Sequence, residues 1–129
     1  MGIDNNFKYS DKTEKIIKCA YNVHNYLGNG FPEVIYQRCM EIEFDKQSLT
    51  FKREIEKPIY YCDTLVGSRR VDFIVEDVIL LELKAIKELS ENYYSQILNY
   101  LKAYKLEIGL LINFGEKELK IKRFIQTNY

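Results

Sequence analysis

Residues 70–84, RVDFIVEDVILLELK, constrain this chain more tightly than any other segment. They read as two apolar strands around a turn, yet Asp72, Glu82 and Lys84 stand inside the strands. Charge placed there costs stability unless something offsets it. The apolar pattern also fixes how the strands pair. Val71, Phe73 and Val75 alternate along the first strand, and Ile79, Leu81 and Leu83 along the second. The two sets share a face only if Val75 pairs with Ile79, which leaves Glu76-Asp77-Val78 as a three-residue turn. A two-residue turn at Glu76-Asp77 would put Asp72 and Glu82 on opposite sides of the sheet. The apolar register instead puts Asp72 across from Glu82, with Lys84 on the same side as both and Ile74 and Leu80 covering that face.

The flanking segments place this hairpin in a domain. Residues 1–10 are polar and read as a loose N-terminus; 11–129 read as one domain. Asp11-Lys12-Thr13-Glu14 resembles a capping box, followed by Ile16, Ile17, Ala20, Val23 and Leu27 at helical spacing, with Gly28-Asn29-Gly30 as the stop. Pro32 opens a second helix whose apolar stripe reads as Ile35, Cys39 and Ile42. A strand over 51–62 carries Pro58 as an edge or bulge signal, and 63–67 reads as a turn. Ser90 caps a helix with Tyr94, Ile97, Leu98, Leu101 and Tyr104 on one face. Strands at 107–113 and 118–125 close the chain. The order ααβββαββ predicts an α/β or α+β domain with a central mixed sheet between helices.

Facing carboxylates have Cβ atoms about 4.5–5.5 Å apart and repel each other. Two oxygen donors at that spacing suit a hard cation, Mg²⁺ or Mn²⁺, which would polarise a phosphoryl oxygen and acidify a water. Lys84 would orient that water and neutralise charge on phosphate. The plainer alternative is a solvated hairpin face on which Lys84 balances the acids.

Charge and cysteine usage narrow the options. Lys+Arg and Asp+Glu are both 19, so nucleic acid would have to be held by a local patch rather than by bulk charge. Lys52, Arg53, Arg69, Arg70, Lys87 and Lys102 are candidates for such a rim. Cys19, Cys39 and Cys62 form no C-x-x-C pair, which argues against a zinc site or disulfide framework and for reduced thiols in the cytoplasm. No apolar run reaches the roughly 18 residues of a membrane span.

An acid, a second acid and a lysine on a hairpin followed by a helix resemble the PD-(D/E)XK nuclease superfamily. Val23-His24-x-x-Leu27-Gly28-x-Gly30-x-x-Glu33-x-x-Tyr36, Gln96-x-x-x-Tyr100-Leu101 and the 109–115 stretch GLLINFG resemble its small GxxExxY family, over roughly residues 11–126. Val71 stands where that superfamily usually has proline. The resemblance implies a restriction-endonuclease-like core with a sheet of about five strands. It implies Asp72, Glu82 and Lys84 as catalytic residues, bordered by Gln96 and Tyr100. It implies Glu33, Asp72, Glu82 and the Leu83 carbonyl as ligands of Mg²⁺ or Mn²⁺, and DNA rather than RNA as substrate.

At roughly 100° per residue, Tyr93, Gln96, Tyr100 and Tyr104 flank the apolar face of their helix. Gln96 is placed to bond a metal water or phosphate, and Tyr100 to stack on a base or orient the lysine. Glu33 in a first turn also suits the helix dipole. His24 is expected to pack near Gly28-Asn29-Gly30, and Tyr36 to tie its hydroxyl to a neighbour. No helix-turn-helix or zinc-finger pattern is present, so sequence recognition would fall to a recognition or ATPase partner protein. A homodimer would serve two-strand cutting. The alternative function is a catalytically silent module of the same fold that binds nucleic acid or a protein.

Overall fold

The computed structural model describes residues 8–127. Its elements run α1 (Ser10–Leu27), α2 (Glu33–Lys46), β1 (Phe51–Tyr61), β2 (Thr64–Val75), β3 (Ile79–Lys84), α3 (Glu91–Tyr104), β4 (Ile108–Asn113) and β5 (Lys120–Ile125). This is the order read from the sequence. Of the segment expected to be loose, residues 1–7 lie outside the described residues, and Ser10 is already helical.

The five strands form one mixed sheet in the order β1-β2-β3-β4-β5. Only the β3–β4 pair is parallel. A parallel pair needs a crossover, and α3 supplies it. Both central strands are covered on two faces, which explains their nearly continuous apolar sequences, ILLELK and IGLLIN. One face packs Phe73, Val75, Leu81, Leu83 and Leu110 against Ile16, Val23, Tyr36, Met40 and Phe44 of α1 and α2. The other packs Ile74, Leu80 and Leu111 against Ile97 and Leu101 of α3. Gly109 permits that approach, since an added Cβ would lie 3.2 Å from Ile97 and Leu101 side-chain carbons.

Three local expectations are corrected. The Asp11 box does not cap α1: Tyr9 is the N-cap residue with no side-chain cap bond, and the Thr13 hydroxyl donates back to the Ser10 carbonyl at 3.1 Å. Ser90 does sit at the N-cap of α3, again without a side-chain bond. On α2 the buried face is Tyr36, Gln37, Met40 and Phe44, whereas Ile42 is 57% exposed. The rings decide this. Tyr36 stacks on Phe114 at 4.6 Å, and Phe44 meets Phe73 edge-on at 5.3 Å, each burying more surface than an Ile or Cys would. The expected turn at 63–67 is mostly strand. The chain reverses at Cys62-Asp63, with φ of 49° and 66°, the doubly left-handed form that suits hairpin twist. β2 therefore starts at Thr64, and a register shift after Ile59 leaves Val66 outside the pairing.

The register at the acids holds as read. Val75 pairs with Ile79, Ile74 with Leu80 and Phe73 with Leu81. Glu76 and Asp77 take φ of 54° and 61° in the three-residue turn. The Glu76 carboxylate accepts the Thr50 N–H and hydroxyl, at 2.7 and 2.6 Å, and fixes the turn to the start of β1.

Candidate active site

The regular β2–β3 ladder stops one pair short of Asp72 and Glu82. There the carboxylates take over as acceptors. Asp72 N–H donates to Glu82 Oε1 at 3.1 Å, and Leu83 N–H donates to Asp72 Oδ2 at 2.8 Å. The other neighbour of β2 also gives way: Arg53 pairs with Phe73 and Ile55 with Val71, but the step at Glu54 is missing, and Glu54 has φ of 53°. Strand alternation breaks at the same place. Val71 packs with the α3 core and Phe73 with the α1/α2 core. Asp72, expected on the α3 face alone, is accordingly met from α2, where Gln37 Nε2 donates to its Oδ1 at 3.0 Å.

Gln37 is a site residue that the sequence reading missed. The same amide nitrogen lies 3.3 Å from Glu33 Oε1, and its oxygen accepts from Arg53 Nη2 at 3.2 Å. Its only sequence signal was the i, i+4 spacing from Glu33. Arg53, expected on an open basic rim, instead points inward, paired with Glu41 and holding Gln37. Glu33 is the first residue of α2 behind Pro32. Glu54 adds negative charge near Asp72 and pairs with Arg70 at 3.8 Å.

Burial raises all three acids, and the Asp72 charge adds to the rise of Glu33 and Glu82. Burial first, then the Asp72 charge, push the Glu82 carboxyl up to about 8. Burial raises Asp72 as well, against the opposing pull of the Leu83 N–H and Lys84. Glu33 rises through burial and the Asp72 charge. At neutral pH Glu82 therefore keeps a proton that an exposed glutamate would lose. Lys84 acts favourably on each acid, and its Nζ lies 5.0 Å from the Tyr93 ring centroid. Tyr93, rather than Tyr100, is thus the ring against the lysine. Tyr100 is buried and stacks on Tyr104 at 6.0 Å; burial first, then the charges of Glu82 and Asp72, raise its hydroxyl. Gln96 is exposed on α3 and lines a groove with Tyr100.

Beneath Lys84 the backbone is fixed by residues from the terminal motif. Phe114 N–H donates to the Lys84 carbonyl at 2.8 Å. The buried Asn113 amide accepts from Ile86 N–H at 3.0 Å and donates to the Ile86 carbonyl at 2.9 Å. A Cβ on Gly115 would fall 2.3 Å from Ile86 backbone atoms. Tyr36, stacked on Phe114, donates its hydroxyl to the Gly28 carbonyl at 2.6 Å. The His24 ring meets this turn as well, through the Glu116 carbonyl at 3.0 Å, and its own carbonyl accepts the Gly28 N–H at 2.8 Å.

The donor chemistry fits a hard divalent cation: clustered carboxylates that repel one another and lie partly out of water. Among the described residues, no three His, Cys, Asp or Glu side chains converge closely enough to hold an ion in their present arrangement.

Comparison with known proteins bears on this arrangement. The sequence model of the PD-(D/E)XK nuclease superfamily matches residues 10–124. No curated protein matches the chain. Among solved structures, the crystal structure of SSO0001 is similar with a TM-score of 0.60 at 16% identity, over 96% of this chain and 62% of that one. The chain thus spans less than two thirds of that protein, and at this identity the likeness concerns the fold. Among the described residues no helix is long and apolar enough to cross a membrane.

Proposed function

Because the chain belongs to the PD-(D/E)XK nuclease superfamily, we propose that it is a metal-dependent phosphodiesterase of the GxxExxY branch that hydrolyses DNA. The observation that carries this reading is the pairing of half-buried Asp72 with buried Glu82, with Glu33 and Lys84 acting on it electrostatically. Glu33, Asp72, Glu82 and the Leu83 carbonyl would hold Mg²⁺ or Mn²⁺. When bound, the ion supplies Lewis-acid polarisation of the phosphate and an acidified water.

The remaining work falls to the chain. Lys84 presents its ammonium beside the acids, where it orients the attacking water and neutralises charge growing on the phosphoryl oxygens. Gln37 holds Asp72 in place through a hydrogen bond that Arg53 in turn supports. Glu82 must give up its proton before it can serve as a ligand, so activity should rise with pH toward about 8. Gln96 and Tyr100 border the path of the substrate. Cutting of both strands would call for a second copy or a partner protein.

A second reading is a silent nuclease-fold module that binds nucleic acid or a partner protein. It draws on the carboxylate oxygens already bonded to backbone N–H. Cleavage of single- and double-stranded DNA with Mg²⁺ or Mn²⁺, beside Asp72→Ala and Lys84→Ala, separates the two. Metal-dependent cleavage lost in both variants is expected. Cleavage that survives both substitutions would overturn the assignment, and no cleavage under any condition would favour the silent module.

A further inference from the structure

Between the outer part of the β1–β2 hairpin and the exposed side of α3 runs an open groove of about 520 Å³. That is within the roughly 300–1,000 Å³ of pockets that take organic ligands. From α3 it is lined by Asn92, Gln96, Asn99 and Ala103, spaced so that they fall on one helical face. From β2 it is lined by Gly67 and Arg69. Tyr100 lines this groove and also lies within electrostatic reach of Glu82 and Asp72, so the groove and the acids share a neighbour. Beyond it the hairpin carries Tyr60 and Tyr61 at its tip, 60% and 73% exposed.

We propose that this groove seats unpaired bases of a single-stranded polynucleotide whose scissile phosphate lies at Asp72 and Glu82; the inference rests on the nuclease reading and names its substrate class. Three carboxamides on one face both donate and accept hydrogen bonds. That matches the Watson–Crick edges of bases, which only an unpaired strand presents. Among the described lining residues there is no carboxylate and one guanidinium, that of Arg69, suited to a backbone phosphate. Room is available, because a Cβ added at Gly67 would meet nothing within 4 Å. The exposed tyrosines at the tip offer stacking platforms that tolerate any base. The balance of 19 basic and 19 acidic residues also lacks the bulk positive charge with which proteins usually hold a duplex backbone.

The test is fluorescence anisotropy of the full chain in EDTA with a labelled oligothymidylate, an oligouridylate and a blunt duplex of equal length. The thymidylate or the uridylate should bind at least tenfold more tightly than the duplex, and the pair of arms tells DNA from RNA. Gly67→Trp fills the groove from an open strand position, and Asn99→Leu removes one amide from an exposed helical position. Each should weaken single-strand binding about tenfold at unchanged melting temperature. Duplex binding as tight as single-strand binding, or full single-strand affinity in both variants, would overturn the groove assignment. The nuclease reading stands or falls separately. Metal-dependent cleavage that is indifferent to Gly67→Trp removes the groove and keeps the nuclease. Groove-dependent binding without cleavage does the reverse.

Discussion

Replacing Glu82 by glutamine should remove most of a pH dependence of stability that the wild-type chain carries between about pH 4.5 and 8. Glu82 rises from 4.5 to about 8 on folding. In that window the native state holds a proton that the unfolded chain has released, so the unfolded state binds fewer protons and stability falls as pH rises. The contribution is fully present below 4.5, is lost progressively up to about 8, and changes no further above it. At 1.36 kcal/mol per pH decade the loss is about 3–6 kcal/mol, comparable with the net stability of a domain this size. Glutamine keeps an oxygen to accept the Asp72 N–H but has nothing to ionise. Urea titrations in EDTA at pH 5 and 8 should show the wild type weaker at pH 8, and Glu82→Gln more nearly level and the more stable of the two there. Added Mn²⁺ should stabilise the wild type far more at pH 8 than at pH 5, and calorimetry in buffers of different ionisation enthalpy should register proton release on binding. A wild-type stability that is flat from pH 5 to 8, or a slope unchanged in Glu82→Gln, would refute the burial-and-repulsion argument.

Other substitutions probe the supports of the site. Gln37→Leu removes the amide between Glu33, Asp72 and Arg53 and should weaken Mn²⁺ binding by about 10–100-fold in calorimetry, the usual effect of losing a group that orients a ligand. Tyr36→Phe deletes the hydrogen bonds to the Gly28 carbonyl and from Phe31 N–H and should cost about 1–3 kcal/mol in denaturant titration. Gly115→Ala drives a Cβ into the Ile86 backbone and should cost more than about 4 kcal/mol or prevent folding, read by circular dichroism.

The parts of this molecule that sequence made legible are those governed by strict periods. Parity of the apolar residues gave the Val75–Ile79 pairing and the three-residue turn, because a one-residue slip would have put the two apolar sets on opposite faces and separated Asp72 from Glu82. Glycine stops and helical or strand spacing gave the element order. Legibility failed where side-chain size or backbone sign decides. The α2 stripe was misplaced because Tyr36 and Phe44 outcompete Ile35 and Ile42 for the interior. The Cys62-Asp63 reversal carries no glycine, and Thr64 to Gly67 has turn-like ends. Asp72 was placed on the α3 face because alternation cannot reveal a strand that loses its regular pairing on both sides. Gln37 stayed hidden because a single amide in a helix has no periodic signature; only its contacts mark it.

The bonds among Tyr36, Gly28, Asn113, Phe114 and Ile86 suggest a different view of how chains like this are recognised. The residues that spell the recognisable signature are largely scaffolding: they clamp the backbone that follows Lys84 and dock one helix junction against a distant turn. The proposed reactive side chains of Asp72, Glu82 and Lys84 make none of these bonds, although Phe114 N–H holds the Lys84 carbonyl at 2.8 Å. A duplicated copy could forfeit Lys84 or Glu82, keep every clamp, and still fold and read as a relative. A roster assembled from the signature would therefore gather intact frames, and only the three strand positions would sort the working nucleases from the retired ones.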